Sequence, residues 1–134
     1  MRRGPDSERL SRRDSGALLL SYIIVMPAFL ASLMFIAQAS LWYLARSAAL
    51  AAARQGVDAA RVPGSSTSAG QNAALQFAQR SASGFLLNPG TSANGSTATT
   101  ITITVSGRAP TIVPGMLLNV TQVAQAPVER FTTP

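Results

Sequence analysis

Catalysis needs side chains that can move a proton, hold a metal or act as a nucleophile, and this chain is poor in all three. It has no Cys, no His and no Lys. The absence of Cys removes disulfides and thiolate metal sites, and the absence of His removes the commonest general base and neutral metal ligand. The acids are Asp6, Glu8, Asp14, Asp58 and Glu129. Three of them crowd the N-terminal segment and the other two are far apart, so no spacing pairs carboxylates for acid–base work. Ser and Thr are abundant, but no G-x-S-x-G elbow and no S-x-x-K motif occurs, and a G-x-x-x-x-G-K-[ST] phosphate loop is impossible without Lys. Asn94-Gly95-Ser96 and Asn119-Val120-Thr121 match the N-glycosylation pattern and read as turn and strand residues. The expectation is a non-enzymatic protein with no cofactor, no metal site and no small-molecule substrate.

The net charge of +6 comes entirely from Arg. Arg2, Arg3, Arg9, Arg12 and Arg13 are interleaved with Asp6, Glu8 and Asp14, and the remaining Arg are scattered. There is no basic stripe and no aromatic platform among them, so no nucleic-acid partner is expected.

The chain must therefore act through its elements, and one of these dominates. Residues 15–45 carry no charge. Leu18, Leu19, Leu20, Ile23, Ile24, Val25, Phe29, Leu30, Leu33, Phe35 and Ile36 make this run apolar on every helical face. A helix of that kind is buried in protein or in lipid, and about 20 such residues span a bilayer. A chain of 134 residues is too short to bury this run in its own core, so lipid is the expected surrounding. Trp42 and Tyr43, followed by Arg46, stand where a membrane-interface anchor belongs. Pro27 should kink the helix. Ala28 and Ser32 are small residues four apart, a spacing that lets another helix approach closely. The Arg-rich leader places the N-terminus in the cytoplasm and the C-terminal part outside the cytoplasmic membrane.

The helical pattern continues past the interface. "LWYLARSAALAAARQGVDAAR" is Ala-rich, and Ala has the highest helix propensity. Leu41, Leu44, Ala45, Ala48, Ala52, Gly56 and Ala59 trace a smooth apolar stripe, and Arg54 and Asp58 are placed to pair. One helix is expected from about Gly16 to about Arg61, ended by Pro63-Gly64. Ala45, Ala48 and Ala52 join Ala28 and Ser32 as positions for contact with other helices. A second helix is expected in "QNAALQFAQRSASGFL", with Ala74, Leu75, Ala78 and Ala82 on one face and Gly84 at its end. "NPGTSANGSTA" reads as a turn-rich loop. "TTITITVSG" alternates with period two, Ile101, Ile103 and Val105 against Thr100, Thr102 and Thr104, which signals a strand. "MLLNVTQVAQAPVERF" is a weaker strand, and "GRAPTIVPGM" between them reads as an extended loop or broken edge. The fold class is α+β: a long N-terminal transmembrane helix with its extracytoplasmic extension, a second short helix and a small antiparallel β segment. The divisions are a leader over residues 1–16, the helix over 17–61 and a head over 62–134.

This layout resembles the TadE-like family of tight-adherence (Flp) pilus assembly proteins, pseudopilins related in plan to type IV pilins. The resemblance covers residues 12–131 and is sharpest in "RRDSGALLLSYIIVMP" and "AAARQGVDAAR", and the ending "PVERF" is similar to members from high-GC Gram-positive bacteria. It implies a pilin-like fold, cleavage by a prepilin peptidase between Gly16 and Ala17, and assembly with other pilin-like subunits and membrane components of a pilus machine. Pro27 is in the family's register, but Ser21 stands where the pattern has Glu. In filament-forming pilins that Glu is thought to neutralise the amino terminus of an adjacent subunit. A neutral Ser21 fits a minor or assembly subunit better than a repeated filament subunit.

A secreted protein is the competing reading. Ala37-Gln38-Ala39 is an A-x-A site followed by Ser40, which would release residues 40–134 after Sec export. Against it, the apolar region here is nearer 20 residues than the about 7–15 of an ordinary signal. Arg12-Arg13 hints at twin-Arg export, but Asp14 follows them.

Overall fold

The computed structural model describes residues 6–129, and within 6–15, 17 and 18 the backbone alone. The elements run α1 (Asp6–Ala60), α2 (Thr67–Ser81), β1 (Leu87–Ser92), β2 (Thr100–Ala109) and β3 (Leu118–Pro127). The α+β layout expected from sequence is present. The chain divides into two compact units, Met1–Ala37 and Gln38–Pro134, with α1 contributing to both.

In the first unit α1 begins at Asp6 rather than near Gly16, so the backbone before the expected cleavage position is already helical. The helix runs through Pro27 without interruption. Every described side chain from Leu19 to Ala37 is exposed.

The second unit is a small head built on the Ala-rich half of α1. Its core comprises Ala45, Ala49, Ala52, Ala53, Val57 and Ala60 from α1, Ala74 and Ala78 from α2, Ala82 and Leu86 after it, Ile101, Ile103, Val105 and Ala109 from β2, and Val120 from β3. Ile103 and Val105 are the largest fully buried side chains. Burying a methyl group contributes far less than burying a branched aliphatic side chain, about 1.5–3 kcal/mol. This core therefore depends on close backbone approach more than on side-chain bulk.

The buried face of α1 is rotated from the smooth stripe read off the sequence. Ala45, Ala52 and Gly56 are buried as expected, but Leu44 is 44% exposed and Ala49, Ala53 and Val57 take the inner positions. Asp58 pairs with Arg61 (3.3 Å) rather than with Arg54, and Arg61 also reaches Glu129 (3.4 Å). The ε-nitrogen of one guanidinium thus bridges the end of α1 to the residues after β3.

α2 starts four residues earlier than its apolar pattern suggests. Ser66 takes an extended conformation and its hydroxyl accepts from the Ala69 N–H (3.2 Å), the geometry of an N-cap. The helix ends at Ser81, and residues 82–86 form turns in which Gly84 adopts φ +90°.

The sheet has three antiparallel strands in the order β1-β2-β3, one more than the sequence suggests. The extra strand lies in the stretch read as a loop. Gly90, Thr91 and Ser92 pair with Ser106, Val105 and Thr104, and a register irregularity between Leu87 and Gly90 takes up Pro89. Pro is tolerated in a strand at such an edge. β2 and β3 pair without irregularity from Thr100↔Pro127 to Ala109↔Leu118. Ile101, Ile103 and Val105 face the core as the alternation requires. Thr102 on the other face is buried as well, because its hydroxyl donates to the Gly95 carbonyl (3.2 Å) in the folded-back β1–β2 connection.

Candidate membrane-spanning helix and its interface

The candidate functional feature is a helix surface rather than a pocket. Residues Leu19–Ala60 contain a helix long and apolar enough to cross a membrane, and none of its most apolar window is buried by the chain itself. Leu19, Leu20, Ile23, Ile24, Val25, Phe29, Leu30, Phe35 and Ile36 are each more than half exposed. In water this surface would be strongly unfavourable. A membrane helix and an export signal both have this character.

Of the two residues at the expected processing position, Gly16 is exposed within α1, and Ala17 lies in the same helix with its side chain outside the described residues. The segment before Asp6 and the "RF" of the C-terminal "PVERF" also lie outside them. Ser21 is exposed. The Ser32 hydroxyl donates to the Ala28 carbonyl (2.8 Å), so its polar atom is satisfied inside the helix. The surface at Ala28 and Ser32 is left small and free of an unsatisfied hydroxyl.

The three other expected helix-packing positions serve a different partner. Ala45 and Ala52 are fully buried in the chain's own core, and Ala48 packs at its edge. These small residues do permit close approach, but to α2 and the sheet rather than to a second chain. The Ala-rich half of α1 has no fully lipid-like surface because the head covers one side of it.

Beyond Ala37 the helix surface changes character. Trp42 is 37% and Tyr43 66% exposed. The Arg46 guanidinium carbon sits 5.6 Å from the centroid of the Trp42 ring, a cation–π contact one turn further along. Amphipathic rings with a cation beyond them match the residue types found at membrane–water boundaries.

Sequence reasoning missed Gln38, which it treated as the middle of a cleavage motif. Gln38 is 4% exposed. Its Nε2 donates to the Pro110 carbonyl (3.2 Å) and its Oε1 accepts from the Ile112 N–H (2.9 Å). Both amide atoms thus clamp the β2–β3 loop onto α1. A single amide among apolar residues was the available signal, but its partners lie more than 70 positions away along the chain.

Among the described residues no three His, Cys, Asp or Glu side chains come together as a metal site. One open groove is lined by Gln55, Ala73, Gln76, Phe77, Arg80 and Ser81, and its cation is engaged by Gln76 Oε1 (2.8 Å). No protein-family model, curated protein or solved structure matches the chain.

Proposed function

We propose that this protein is a non-enzymatic, single-pass membrane subunit of pseudopilin type that acts in assembling a tight-adherence pilus. Its N-terminus is cytoplasmic and its head lies outside the cytoplasmic membrane. The observation that carries the reading is the division of labour along α1. One helix exposes an all-round apolar stretch and then, without interruption, supplies the inner wall of an α+β head. The resemblance of the segment around Gly16 to TadE-like proteins supplies the pilus context.

In this role α1 anchors the chain in the lipid bilayer, and the surface at Ala28 and Ser32 admits helices of other pilin-like subunits or membrane components. The prepilin peptidase cuts between Gly16 and Ala17. Because Ser21 is neutral and exposed, it has no charge to offer a neighbouring amino terminus. A minor or assembly role therefore suits the chain better than a repeated filament position.

Gln38 weighs against release of a soluble domain by cleavage after Ala39. Such a cut would remove the side chain that satisfies Pro110 and Ile112. Leaving those groups without their partner costs about 1–3 kcal/mol where they are buried, in a head whose core is mostly Ala.

The test is the N-terminus and mass of the mature protein from its native membrane fraction. A start at Ala17 is the expected result. A start at Ser40 in the culture fluid would sink the membrane-subunit reading. An uncut membrane protein would exclude prepilin-type processing and leave a permanent anchor.

A further inference from the structure

The loop between β2 and β3 is unlike the other end of the sheet. Residues 110–117, "PTIVPGML", contain no charge. Ile112 is 43%, Met116 38% and Leu117 74% exposed. Connecting segments at a water-facing surface are ordinarily polar. The β1–β2 connection, residues 93–99, reads "ANGSTAT" and shows no large apolar side chain. The two connections lie at opposite ends of the sheet, separated by the ten residues of β2, about 30 Å of strand.

The apolar loop is held at a particular place on α1. Gln38 grips it through both amide atoms. Gln38 directly follows Ala37, where the fully exposed apolar run ends. Trp42 lies one turn further along the same helical face. Two exposed cations flank the region, Arg46 over the Trp42 ring and Arg108 two residues before the loop. An exposed apolar patch with a charged rim marks an interaction surface.

We infer that residues 110–117 form a second membrane contact, in which Ile112, Met116 and Leu117 enter the lipid surface beside the point where α1 leaves it. The occupant is lipid because the loop is uncharged and apolar and is clamped to Gln38, the residue that follows the exposed apolar run in the sequence. Arg46 and Arg108 are placed for lipid phosphates. The head is thereby fixed at two points, by α1 and by the loop. This inference rests on the proposed insertion of α1 in a bilayer.

The absence of native Cys allows single labels to be placed cleanly. The full chain would be reconstituted into phosphatidylcholine–phosphatidylglycerol vesicles containing nitroxide lipids with shallow or deep spin positions. A fluorophore would be attached in turn to Leu117→Cys, Ile112→Cys, Asn94→Cys and Ile24→Cys. The expected result is loss of fluorescence at 117 and 112 mainly with the shallow quencher, at 24 mainly with the deep one, and at 94 with neither. Quenching at 24 with 117 and 112 as bright as 94 would overturn the loop contact and leave the anchor standing. No quenching at 24 would overturn the anchor and the loop contact together. Shielding of 117 from aqueous iodide without lipid quenching would place a protein on the loop and overturn the lipid assignment.

Discussion

Gly56 of α1 and Gly70 of α2 meet backbone to backbone. A Cβ built on Gly56 would lie 2.7 Å from the Gly70 carbonyl oxygen, and one built on Gly70 would lie 2.6 Å from the Gly56 carbonyl oxygen. The same Cβ on Gly56 would also crowd Ala74 and Ile103. This contact sets how closely α2 approaches α1, and with it the fit of the Ala-rich core.

Gly56→Ala should therefore loosen the head although Ala is the better helix former. The helix-propensity gain is about 1 kcal/mol, whereas overpacking a tight contact costs about 1–3 kcal/mol. Backbone cannot rotate aside as a side chain can. The net expectation is a lower unfolding temperature for the head in detergent. An equal or higher temperature would show that the α1–α2 contact yields easily.

Gln38→Ala should free the β2–β3 loop. The Ile112 N–H and the Pro110 carbonyl would lose their partner, at a cost of about 1–3 kcal/mol. Amide hydrogen exchange at Ile112 should accelerate by at least about fivefold. Exchange at Ile103, in the centre of the core, should change much less. Unchanged exchange at Ile112 would mean that Gln38 does not hold the loop.

Ser66→Ala should destabilise α2 by about 0.5–2 kcal/mol, because the Ala69 N–H loses its side-chain acceptor. Thermal unfolding of Ser66→Ala beside Ser66→Asp checks this. The Asp variant restores an acceptor and adds a favourable charge at the helix start. If Ala and Asp behave alike, the cap contributes nothing.

Proline should be far better tolerated at Val123 than at its neighbour Ala124. The Val128 N–H donates to the Thr99 carbonyl (2.9 Å), one step beyond the Thr100↔Pro127 pair. Antiparallel alternation then turns the N–H of Ala124 toward β2 and that of Val123 outward. Val123→Pro removes no ladder bond, whereas Ala124→Pro removes the one to Ile103. Circular dichroism of the two variants decides it. Equal loss of β signal would contradict the alternation.

The elements were legible where one segment contained the whole signal. The apolar run from Leu18 to Ile36 needs no partner to be recognised, since every face of the helix is apolar. β2 was legible because Ile101, Ile103 and Val105 alternate with Thr. β1 was not, because "LNPGTS" has turn residues throughout and becomes a strand only when β2 offers it a register. α2 was placed late because its start is set by a hydroxyl at Ser66 rather than by an apolar period.

The candidate site divides in the same way. Trp42, Tyr43 and Arg46 were picked out by type and position. Ala45 and Ala52 were recognised as close-packing residues, but their partner was misassigned, since a small side chain shows that something approaches and not what. The role of Gln38 was not legible because its partners, Pro110 and Ile112, lie more than 70 positions away along the chain.

Taken alone, the sequence determined the absence of Cys, His and Lys, the long apolar helix and its Ala-rich continuation. These follow from composition and local periodicity, which act over a few residues. Only the tertiary structure decided which face of α1 is buried, that Gly56 meets Gly70, and that the Gln38 amide ties an apolar loop to the helix where its fully exposed stretch ends. Those facts arise from contacts between distant segments, and no local pattern encodes the distance between them.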